Sequence, residues 1–569
     1  MILKNEKGAA LLVSLFVVLV LLSISSMFLL RSVNENNLAR MERDLTKAFY
    51  IGEAAAHAGL YNLDDFINTD LSTTIGQKNP QVVGNSASNY VASNDSLGFL
   101  IEYAEDGGTP IFTLASDGLS ATHTSSTVTL ATGTFDYDVI VMAKGNPITV
   151  STDTWDFPYN YRVEGGGTSG NLNREVLISG DFTIRVQRDN FAKFALFTDH
   201  HGLPSGSSVW FTNRTNFEGP VHTNERFSFA FNPGGIFDGA ISQHLTKARF
   251  YNNGSPVLID HHFNGSADVP IFNSSFLRGE ATIVLPSSVQ KGDLQDQATG
   301  GTNIVGNGIF VSNDGVNLTG GIFIRGDSTI VLGVDGSGNA TYNISEPTTG
   351  SMFIIVDQVN NTTSVDDGSV VNVYTGVPDG MDDVGTIIYV DGQVDSISGV
   401  VQQDTEITVS SEWDIIVGGD LKYQNYSAAS GSPGNPGYSG PDAVGNTNLL
   451  GLLSWGGDVR IGSSAPNDVE IHGIVLGRNG IFTVDNYNDT GVGPRGTATL
   501  LGGVITQFYG AFGLFNGSTG SQLSGYGRNF VYDERTLMGK SPPYFPTLNT
   551  FVGFTNDLTD KLVWQEGGV

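Results

Sequence analysis

The most constraining feature of the sequence is an uninterrupted apolar segment close to its beginning. Ala9 to Leu30 spans 22 residues without a charged side chain. As an α-helix rising about 1.5 Å per residue, the segment is about 33 Å long, which matches the hydrocarbon thickness of a bilayer. The sequence therefore predicts a transmembrane helix at this position.

The flanks of this segment predict its orientation. Lys4 and Lys7 lie on the N-terminal side, and positively charged flanks are retained in the cytoplasm, so the remainder is expected outside the inner membrane. The segment continues directly into Arg31, without the small-x-small cleavage site of a secretory signal peptide. Removal by the general signal peptidase is therefore not expected.

A second periodic stretch extends the predicted helix beyond the membrane. Small and apolar residues recur at steps of three and four, with charged residues around them, up to about Leu60. These positions are Leu38, Met41, Leu45, Ala48, Gly52, Ala55 and Gly59. We expect one helix over residues 9–62, apolar in its first half and amphipathic in its second.

The beginning of the chain resembles the type IV prepilins. A short basic leader ends in Gly8 and is followed by Ala9, and the sequence AFYIGEAA at 48–55 is similar to the segment that closes the first helix of PilX-type minor pilins. The resemblance implies a leader over residues 1–8, cleaved between Gly8 and Ala9 by prepilin peptidase. It also implies contacts of the helix with other pilin-like subunits.

One position departs from the pattern of that family. Major pilins carry glutamate at the fifth mature position, where it is thought to pair with the free amine of a neighbouring subunit, and here that position is Val13. A buried amine without a partner is costly, so this chain cannot neutralise its neighbour in the usual way. Val13 favours an initiating or tip position, or an anchored protein that does not polymerise. A simple single-pass anchor stays open as the alternative.

Composition limits what the body of the chain can do. The formal net charge is −30, and an acidic surface repels phosphate backbones, so nucleic-acid binding is not expected. The chain has no cysteine, which excludes disulfides, thiolate metal sites and thiol nucleophiles. Charged residues make up 15 % of the chain and glycine contributes 73 residues, a profile typical of turn-rich β structure.

Short β-branched and aromatic runs bounded by Gly and Asn predict a mainly β body. We expect a β-rich pilin-like head over 63–190, a β-rich module over 191–429, a Gly/Pro/Ser linker over 430–448, and a solenoid-like module with a C-terminal strap over 449–569. Single strands with glycine corners favour stacked solenoid coils, whereas their irregular spacing leaves a β-sandwich open. Residues 190–546 also resemble an uncharacterised module of large PilX-like proteins, which implies no activity.

Histidines are concentrated in one part of the body. Six of the nine lie between positions 200 and 262, namely His200, His201, His222, His244, His261 and His262. None of them forms the i, i+4 pair of a helical zinc site, and adjacent residues on a strand face opposite ways. The sequence therefore predicts neither a metal site nor a cofactor.

Two acidic motifs are candidates for other chemistry. Asp335 to Glu346 has oxygen ligands spaced as in a calcium loop but lacks the glycine at position six, and an Asp-Gly hairpin turn explains the same residues. Asp382 and Asp383, with the sequence DHHG at 199–202, resemble elements of polysaccharide-degrading β-helix enzymes in a different chain order. We therefore predict no catalytic residues.

The sequence as a whole favours a structural or interaction protein rather than an enzyme. The hypothesis is a minor or tip subunit associated with a type IV pilus, which presents its β body outside the cell for assembly, adhesion or surface contact. Its expected partners are prepilin peptidase, other pilin-like subunits, the inner membrane, and a surface glycan or protein ligand. The alternatives are a membrane-anchored β-helix carbohydrate-active enzyme and a single-pass, calcium-stabilised adhesin outside a pilus.

Overall fold

The computed structural model describes most of the chain and divides it into two compact units. The described residues are 6–71, 74, 96–106, 109–116, 118–151, 154–212, 215–230, 235–252, 255–259, 269–424, 447–516, 521–555, 558 and 563–566. Unit 1 comprises Met1–Gln187 and Asn549–Val569, and unit 2 comprises Arg188–Leu548.

Helices form a small part of the described chain. The α-helices are α1 (Glu6–Asp65), α2 (Ser96–Tyr103) and α3 (Ser288–Thr299). A π-helical turn at Phe66–Leu71 extends α1, and 3-10 turns lie at Phe191–Lys193 and Glu534–Met538.

Strands make up the rest of the regular structure, and in chain order they have the following bounds. The first part of the chain contains β1 (Glu105–Asp106), β2 (Thr109–Pro110), β3 (Thr113–Leu114), β4 (Ser120–Thr124), β5 (Val128–Leu130), β6 (Gly133–Ala143), β7 (Ile148–Ser151), β8 (Thr154–Ser169), β9 (Leu172–Asn190), β10 (Leu196–His200), β11 (Asn216–Phe217), β12 (Val221–Thr223), β13 (Ser228–Phe229), β14 (Ile236–Phe237), β15 (Ile241–Gln243), β16 (Ala248–Asn252), β17 (Ser255–Ile259), β18 (Ile271–Phe272) and β19 (Phe276–Arg278). The second part contains β20 (Gly308–Asn313), β21 (Leu318–Arg325), β22 (Ser328–Val334), β23 (Ala340–Glu346), β24 (Gly350–Asp357), β25 (Thr362–Asp366), β26 (Val371–Thr375), β27 (Thr386–Asp391), β28 (Val394–Val401), β29 (Glu406–Ser411), β30 (Ile415–Tyr423), β31 (Leu449–Ser454), β32 (Val459–Ile461), β33 (Glu470–His472), β34 (Ile474–Gly477), β35 (Phe482–Val484), β36 (Pro494–Leu501), β37 (Val504–Phe508), β38 (Gly513–Phe515), β39 (Gln522–Val531), β40 (Thr547–Thr555) and β41 (Val563–Glu566). The chain is therefore mainly β with one long N-terminal helix, as the sequence predicts.

Unit 1 is built on α1 and an antiparallel sheet with the order β3-β4-β6-β8-β9-β40. The predicted helix is confirmed, and it extends three residues beyond the expected end, to Asp65. Its N-terminal part is exposed, whereas Ala48, Ala55 and Leu63 in its C-terminal part are fully buried. An 18-residue apolar window near its start has a mean hydropathy of 2.7 and no buried residue. Within the described residues, this is the one helix long and apolar enough to cross a membrane.

Glycines let the backbone of α1 approach the backbone of β8 directly. A Cβ atom added to Gly165 would lie 2.3 Å from the backbone nitrogen of Ala56, and one added to Gly167 would lie 2.1 Å from the carbonyl oxygen of Ala48. A Cβ added to Gly52 of the helix would lie 3.1 Å from the carbonyl oxygen of Gly165. We call Gly52, Gly165 and Gly167 the glycine seam. A side chain at its two strand positions would push the helix off the sheet.

Unit 2 is built from parallel strands that alternate between two long sheets. One sheet has the order β19-β15-β12-β10-β37-β34-β31-β29-β27-β21-β20, and the other contains β22-β28-β30-β33-β36-β39 in that order. Consecutive pairs such as β27 and β28, then β29 and β30, each add one parallel strand to both sheets. This is the strand pairing of stacked coils, and it is not the antiparallel pairing of a β-sandwich.

The order of the coils does not follow the order of the chain. β10, the first strand of unit 2, pairs in parallel with β12 on one side and with β37 on the other. The coils from β10 to β19 therefore extend one end of the stack. The chain then returns through α3 and builds the coils from β21 to β37 from the opposite end.

The structure corrects the expected division of the β body. β29 and β31 pair in parallel on either side of the expected linker, so 191–429 and the following residues up to Leu548 belong to one unit. Residues 549–569 belong to unit 1 and not to a C-terminal solenoid module. Most of the expected linker, 430–446, lies outside the described residues. The local pattern could not reveal this, because the pairing partners are separated by the linker.

A strap near the C-terminal end of unit 2 covers the outer face of the longer parallel sheet. The Thr408 hydroxyl donates to the Pro543 carbonyl oxygen at 2.5 Å, and the Tyr544 hydroxyl donates to the Asp379 carbonyl oxygen at 2.8 Å. Phe545 is buried in an apolar layer that also contains Leu294 of α3. The proline-rich stretch therefore packs on its own unit.

The glycine seam generates a prediction about unit 1. Gly167→Ala introduces a Cβ against the backbone of α1 and is expected to destabilise unit 1 by about 1–3 kcal/mol. Gly166→Ala is the matched control, because its Cβ faces the end of the Asp136 side chain instead. Hydrogen-exchange mass spectrometry should show lost protection in 48–59 of the Gly167 variant alone. Equal protection in the two variants would contradict the close contact.

Candidate functional site

The N-terminal half of α1 presents a continuous apolar surface. The large apolar side chains between Leu11 and Leu30 are 40–75 % exposed. The first charges on the described side chains are Arg31 and Glu35, which form an exposed ion pair one helical turn apart at 3.0 Å. An apolar surface of this length needs a cover of apolar atoms in water, and a bilayer supplies one. The helix is consistent with anchoring in a membrane.

The residues predicted for leader processing lie at the beginning of this helix. Lys7, Gly8 and Ala9 fall in the first turn of α1, whereas Lys4 lies outside the described residues. Val13 lies one turn farther on and is 63 % exposed, within the apolar surface. Cleavage between Gly8 and Ala9 stays a prediction, and so does the effect of Val13 on a neighbouring subunit.

The described histidines of the 200–262 cluster are separated into different environments. The His200 Nδ1 atom lies 3.0 Å from the Glu225 Oε1 atom, and its ring stacks on Phe508. The His244 Nδ1 atom lies 2.6 Å from the Glu280 carbonyl oxygen. His261 and His262 lie outside the described residues. No group of three or more His, Asp or Glu within the described part of the chain is arranged to hold a metal ion.

His222 belongs to a hydrogen-bonded row across the parallel strands. Its Nδ1 atom lies 2.8 Å from the Ser242 hydroxyl, and its Nε2 atom lies 3.1 Å from the Asn224 side-chain oxygen. The Asn224 amide also donates to Asp199 at 2.7 Å. Burial lowers the pKa of His222. Both ring nitrogens therefore have hydrogen-bond partners: Nδ1 connects β12 to the neighbouring β15, and Nε2 contacts Asn224 of its own coil.

His201 lies in an apolar cage. Its ring makes edge-on contacts with Phe211 and Phe227 at centroid distances of 4.6 and 4.9 Å, and neither ring nitrogen has a hydrogen-bond partner. Burial, with a smaller contribution from the charge of Arg249, lowers the pKa of His201 to about 3. The DHHG sequence at 199–202 thus places His200 at the surface, at the end of β10, and His201 in the core, directly after the strand.

A buried Glu-His pair escaped the sequence analysis. The His472 Nε2 atom lies 2.9 Å from the Glu470 Oε1 atom, and the His472 Nδ1 atom accepts the backbone N–H of Tyr423 at 2.9 Å. The only sequence signal for this pair is that Glu470 and His472 are two positions apart, which puts both side chains on one face of a strand. Because Nδ1 is occupied by a backbone donor, this histidine cannot act as a general base through that atom. The pair is structural.

The calcium-like motif is a hairpin turn. Asp335 accepts the backbone N–H groups of Ser337 and Asn339 at 2.8 and 2.9 Å and closes the turn between β22 and β23. Glu346 lies at the far end of β23, about 20 Å away at about 3.4 Å per residue, and accepts from Thr348. The two ends of the motif therefore do not converge on one ion.

A carboxylate-lined cavity of about 320 Å³ opens in unit 2. Its lining residues are Gln358, Val377, Asp379, Asp383, Val384, Gly385, Thr386, Asp404 and Glu406. Burial and the charge of Asp383 raise the pKa of Asp379 to about 6, and burial raises the pKa of Glu406. A carboxyl group with a raised pKa can donate a proton near neutral pH.

The structure separates the paired aspartates of the sequence analysis. Asp383 lines the cavity, whereas Asp382 accepts a hydrogen bond from the Gln297 side chain at 2.8 Å. Asp379, Asp404 and Glu406 were missed, although all lie in a stretch, 326–421, that contains no Lys or Arg. Their convergence depends on neighbouring coils, so spacing along the chain does not reveal it.

The cage around His201 predicts a pH-dependent stability for unit 2. The pKa of this histidine is lower in the folded state than the ordinary value of 6.5, so the unfolded state binds a proton that the folded state does not. Stability should fall by a few kcal/mol as pH drops from about 6.5 towards about 3. In denaturant unfolding measured at several pH values, His201→Phe should reduce the loss of stability on acidification. The control His57→Gln, on the exposed face of α1, should not reduce it. An unchanged pH dependence of stability in the His201 variant would contradict the assignment.

Comparison with known proteins adds one match. A domain family described as a domain of unknown function (DUF4900) matches residues 156–244, about a sixth of the chain. The matched segment contains most of β8, all of β9, the strands that carry His200 and His222, and His201 directly after β10. No curated protein and no solved structure matches the chain.

Proposed function

We propose that the chain is a pilin-like structural subunit, associated with a type IV pilus, that presents its β body outside the inner membrane. The observation that carries the proposal is the division of α1 into two halves. The first half is apolar and exposed, and the second half packs on an antiparallel sheet through the glycine seam. One rigid helix of this kind can lie in a membrane or among other helices while it holds a folded head.

The proposed partners follow from the same helix. Prepilin peptidase acts on the bond between Gly8 and Ala9, and the exposed apolar half then packs against the corresponding helices of pilin-like subunits or stays in the inner membrane. Val13 brings no carboxylate to the amine of a neighbouring subunit. A terminal position in a pilus, or a membrane-anchored state, agrees with that absence. The β body makes contacts with surface glycans or proteins.

Mass spectrometry of the mature N-terminus tests this function. In cells that contain prepilin peptidase, the chain should begin at Ala9, and in cells that lack the peptidase it should retain the leader. Gly8→Val should block processing by removing the flexible glycine, and Asn5→Ala in the same leader should not. An N-terminus at Met1 in all strains would overturn the pilin-like assignment and leave a single-pass anchor.

A second candidate function is cleavage of a polysaccharide by an enzyme held on the membrane helix. One observation favours it, namely the cavity lined by Asp379, Asp383, Asp404 and Glu406, in which the raised pKa of Asp379 suits a general acid. Glycoside hydrolysis needs a protonated carboxyl group and an ionised carboxylate in one site, and this cavity contains candidates for both.

The second candidate predicts that the full chain releases reducing ends from polysaccharides. With a panel of neutral and amino-sugar polymers as substrates, Asp379→Asn should lower the rate about 10²–10⁴-fold because it removes the proton donor. Asp395→Asn is the control, since that aspartate lies in the same acidic stretch but does not line the cavity. Absence of release by the unmodified chain on the whole panel would remove this candidate.

A further inference from the structure

The antiparallel part of unit 2 ends in an edge strand that is open to solvent. We call β22 to β26, residues 328–375, the meander; its strands pair in sequence, and β26 is the last strand of the sheet. The pairing of β25 with β26 has a continuous register without a bulge. β26 contains neither Pro nor Lys, two residues that commonly block a strand edge. Within the described chain only the Thr375 end of this edge is covered, by a β-bridge to Asn317, and the rest lacks the usual protection against a further strand.

The backbone geometry identifies the groups on the open side. The backbone N–H of Thr375 donates to the Val316 carbonyl oxygen at 3.0 Å, on the side away from β25. In an antiparallel strand, alternate residues direct their N–H and C=O groups to the same side. Val373 and Val371 therefore also direct their backbone N–H and C=O groups away from β25. In the part of the chain that the structure describes, no strand pairs with these groups.

Two valines of the edge strand are apolar and exposed: Val371 by 59 % and Val373 by 65 %. The row of Val371 continues on the same face through Asp366, Phe353, Asn343 and Val331, of which Phe353 and Val331 are exposed apolar residues. The opposite face of the meander is buried, with Leu332, Tyr342 and Ile354 in the core. A strand added at the edge of β26 would therefore gain both backbone hydrogen bonds and apolar contacts.

Charge identifies the kind of strand that fits. Residues 326–421 contain 16 Asp and Glu residues and no Lys, Arg or His, so this stretch carries more than half of the net charge of −30. Five of these carboxylates lie in the meander, and Asp366 and Asp367 stand at the turn that leads into β26. A second copy of this edge would bring like charges together, whereas a basic segment would be attracted.

We propose that the open edge of β26 is a docking site for an extended, basic segment of another protein, which adds to the meander as a further strand. Its backbone pairs with Val371 and Val373, its apolar residues cover the exposed valines, and Lys or Arg residues at the ends of the added strand lie on the side of the turn that carries Asp366 and Asp367. The inference does not rest on the pilin-like function, because it uses residues of unit 2 alone.

The test uses the full chain in detergent and fluorescent peptides as probes. A peptide with alternating valine and threonine in its middle and lysines at both ends, the valine–lysine peptide, should bind, with an affinity that falls as salt is added. The same peptide with glutamate in place of lysine should not bind. A valine–lysine peptide with N-methyl groups on alternate amides should bind much more weakly, because it cannot complete the backbone pairing. Equal binding of the three peptides, or no binding of the first, would overturn the proposal.

Variants of β26 locate the site. Val373→Pro removes an outward N–H and leaves the pairing with β25 intact, so it should weaken binding of the valine–lysine peptide about tenfold or more without changing the melting temperature. Asn372→Ala, whose backbone pairs with Val365, is the matched control and should bind normally. Unchanged binding by the proline variant would overturn the proposal. Self-association that this variant abolishes would assign the edge to a second copy and would also overturn it.

Discussion

The direct contact between the backbones of α1 and β8 is the interaction on which unit 1 depends. A helix normally packs on a sheet through side chains of both elements. Here Gly165 and Gly167 of the strand have no side chain, so the strand approaches the helix backbone directly at Ala56 and Ala48. The short separation lets buried residues on either side of the seam, such as Leu63 and Val163, reach one apolar cluster. Because the helix is held along its C-terminal half, its apolar half is presented as a rigid extension.

Unit 2 obtains its stability from a different principle. Each coil between β27 and β37 contributes strands to both long sheets, whereas the coils from β10 to β19 share one of them and form two three-stranded sheets beside it. Every coil buries its inward residues against its neighbours. The outer face of the longer sheet is then covered by α3 and the strap, with Phe545 and Leu294 in one layer. Histidines that are dense in the sequence are distributed among these layers. His201 lies inside and His222 holds coils together, so their number does not make a metal site.

Charged residues are unevenly distributed along unit 2. The cavity around Asp379 and the open edge of β26 both lie in 326–421, which contains no basic residue of its own. Basic side chains from outside the stretch pair with Asp391, Glu412, Asp414 and Asp420. Burial of some of these carboxylates raises their pKa, as for Asp379, whereas turn carboxylates that accept backbone N–H groups, such as Asp335 and Asp367, have a lowered pKa. The same residue type therefore serves as a proton donor candidate in one place and as a turn former in another.

The sequence by itself determined the elements whose signals are local. The uncharged run from Ala9 predicts the exposed apolar helix, the Gly-bounded β-branched runs predict the β body, and the Asp-Gly pair at Asp335 predicts a hairpin turn. Alternation on a strand also predicts that His200 and His201 face opposite ways. These features depend on neighbours within a few residues, so their physical causes can be read along the chain.

Only the tertiary structure decided the features that depend on distant pairing. β10 lies between β12 and β37, so Phe197 is paired with Ile505, more than 300 positions away. The union of the residues on both sides of the expected linker and the cavity around Asp379 follow from pairing between coils that are distant in the chain. No local pattern encodes it, because many strands of similar composition are able to pair in parallel. The order that forms is set by the packing of the whole unit.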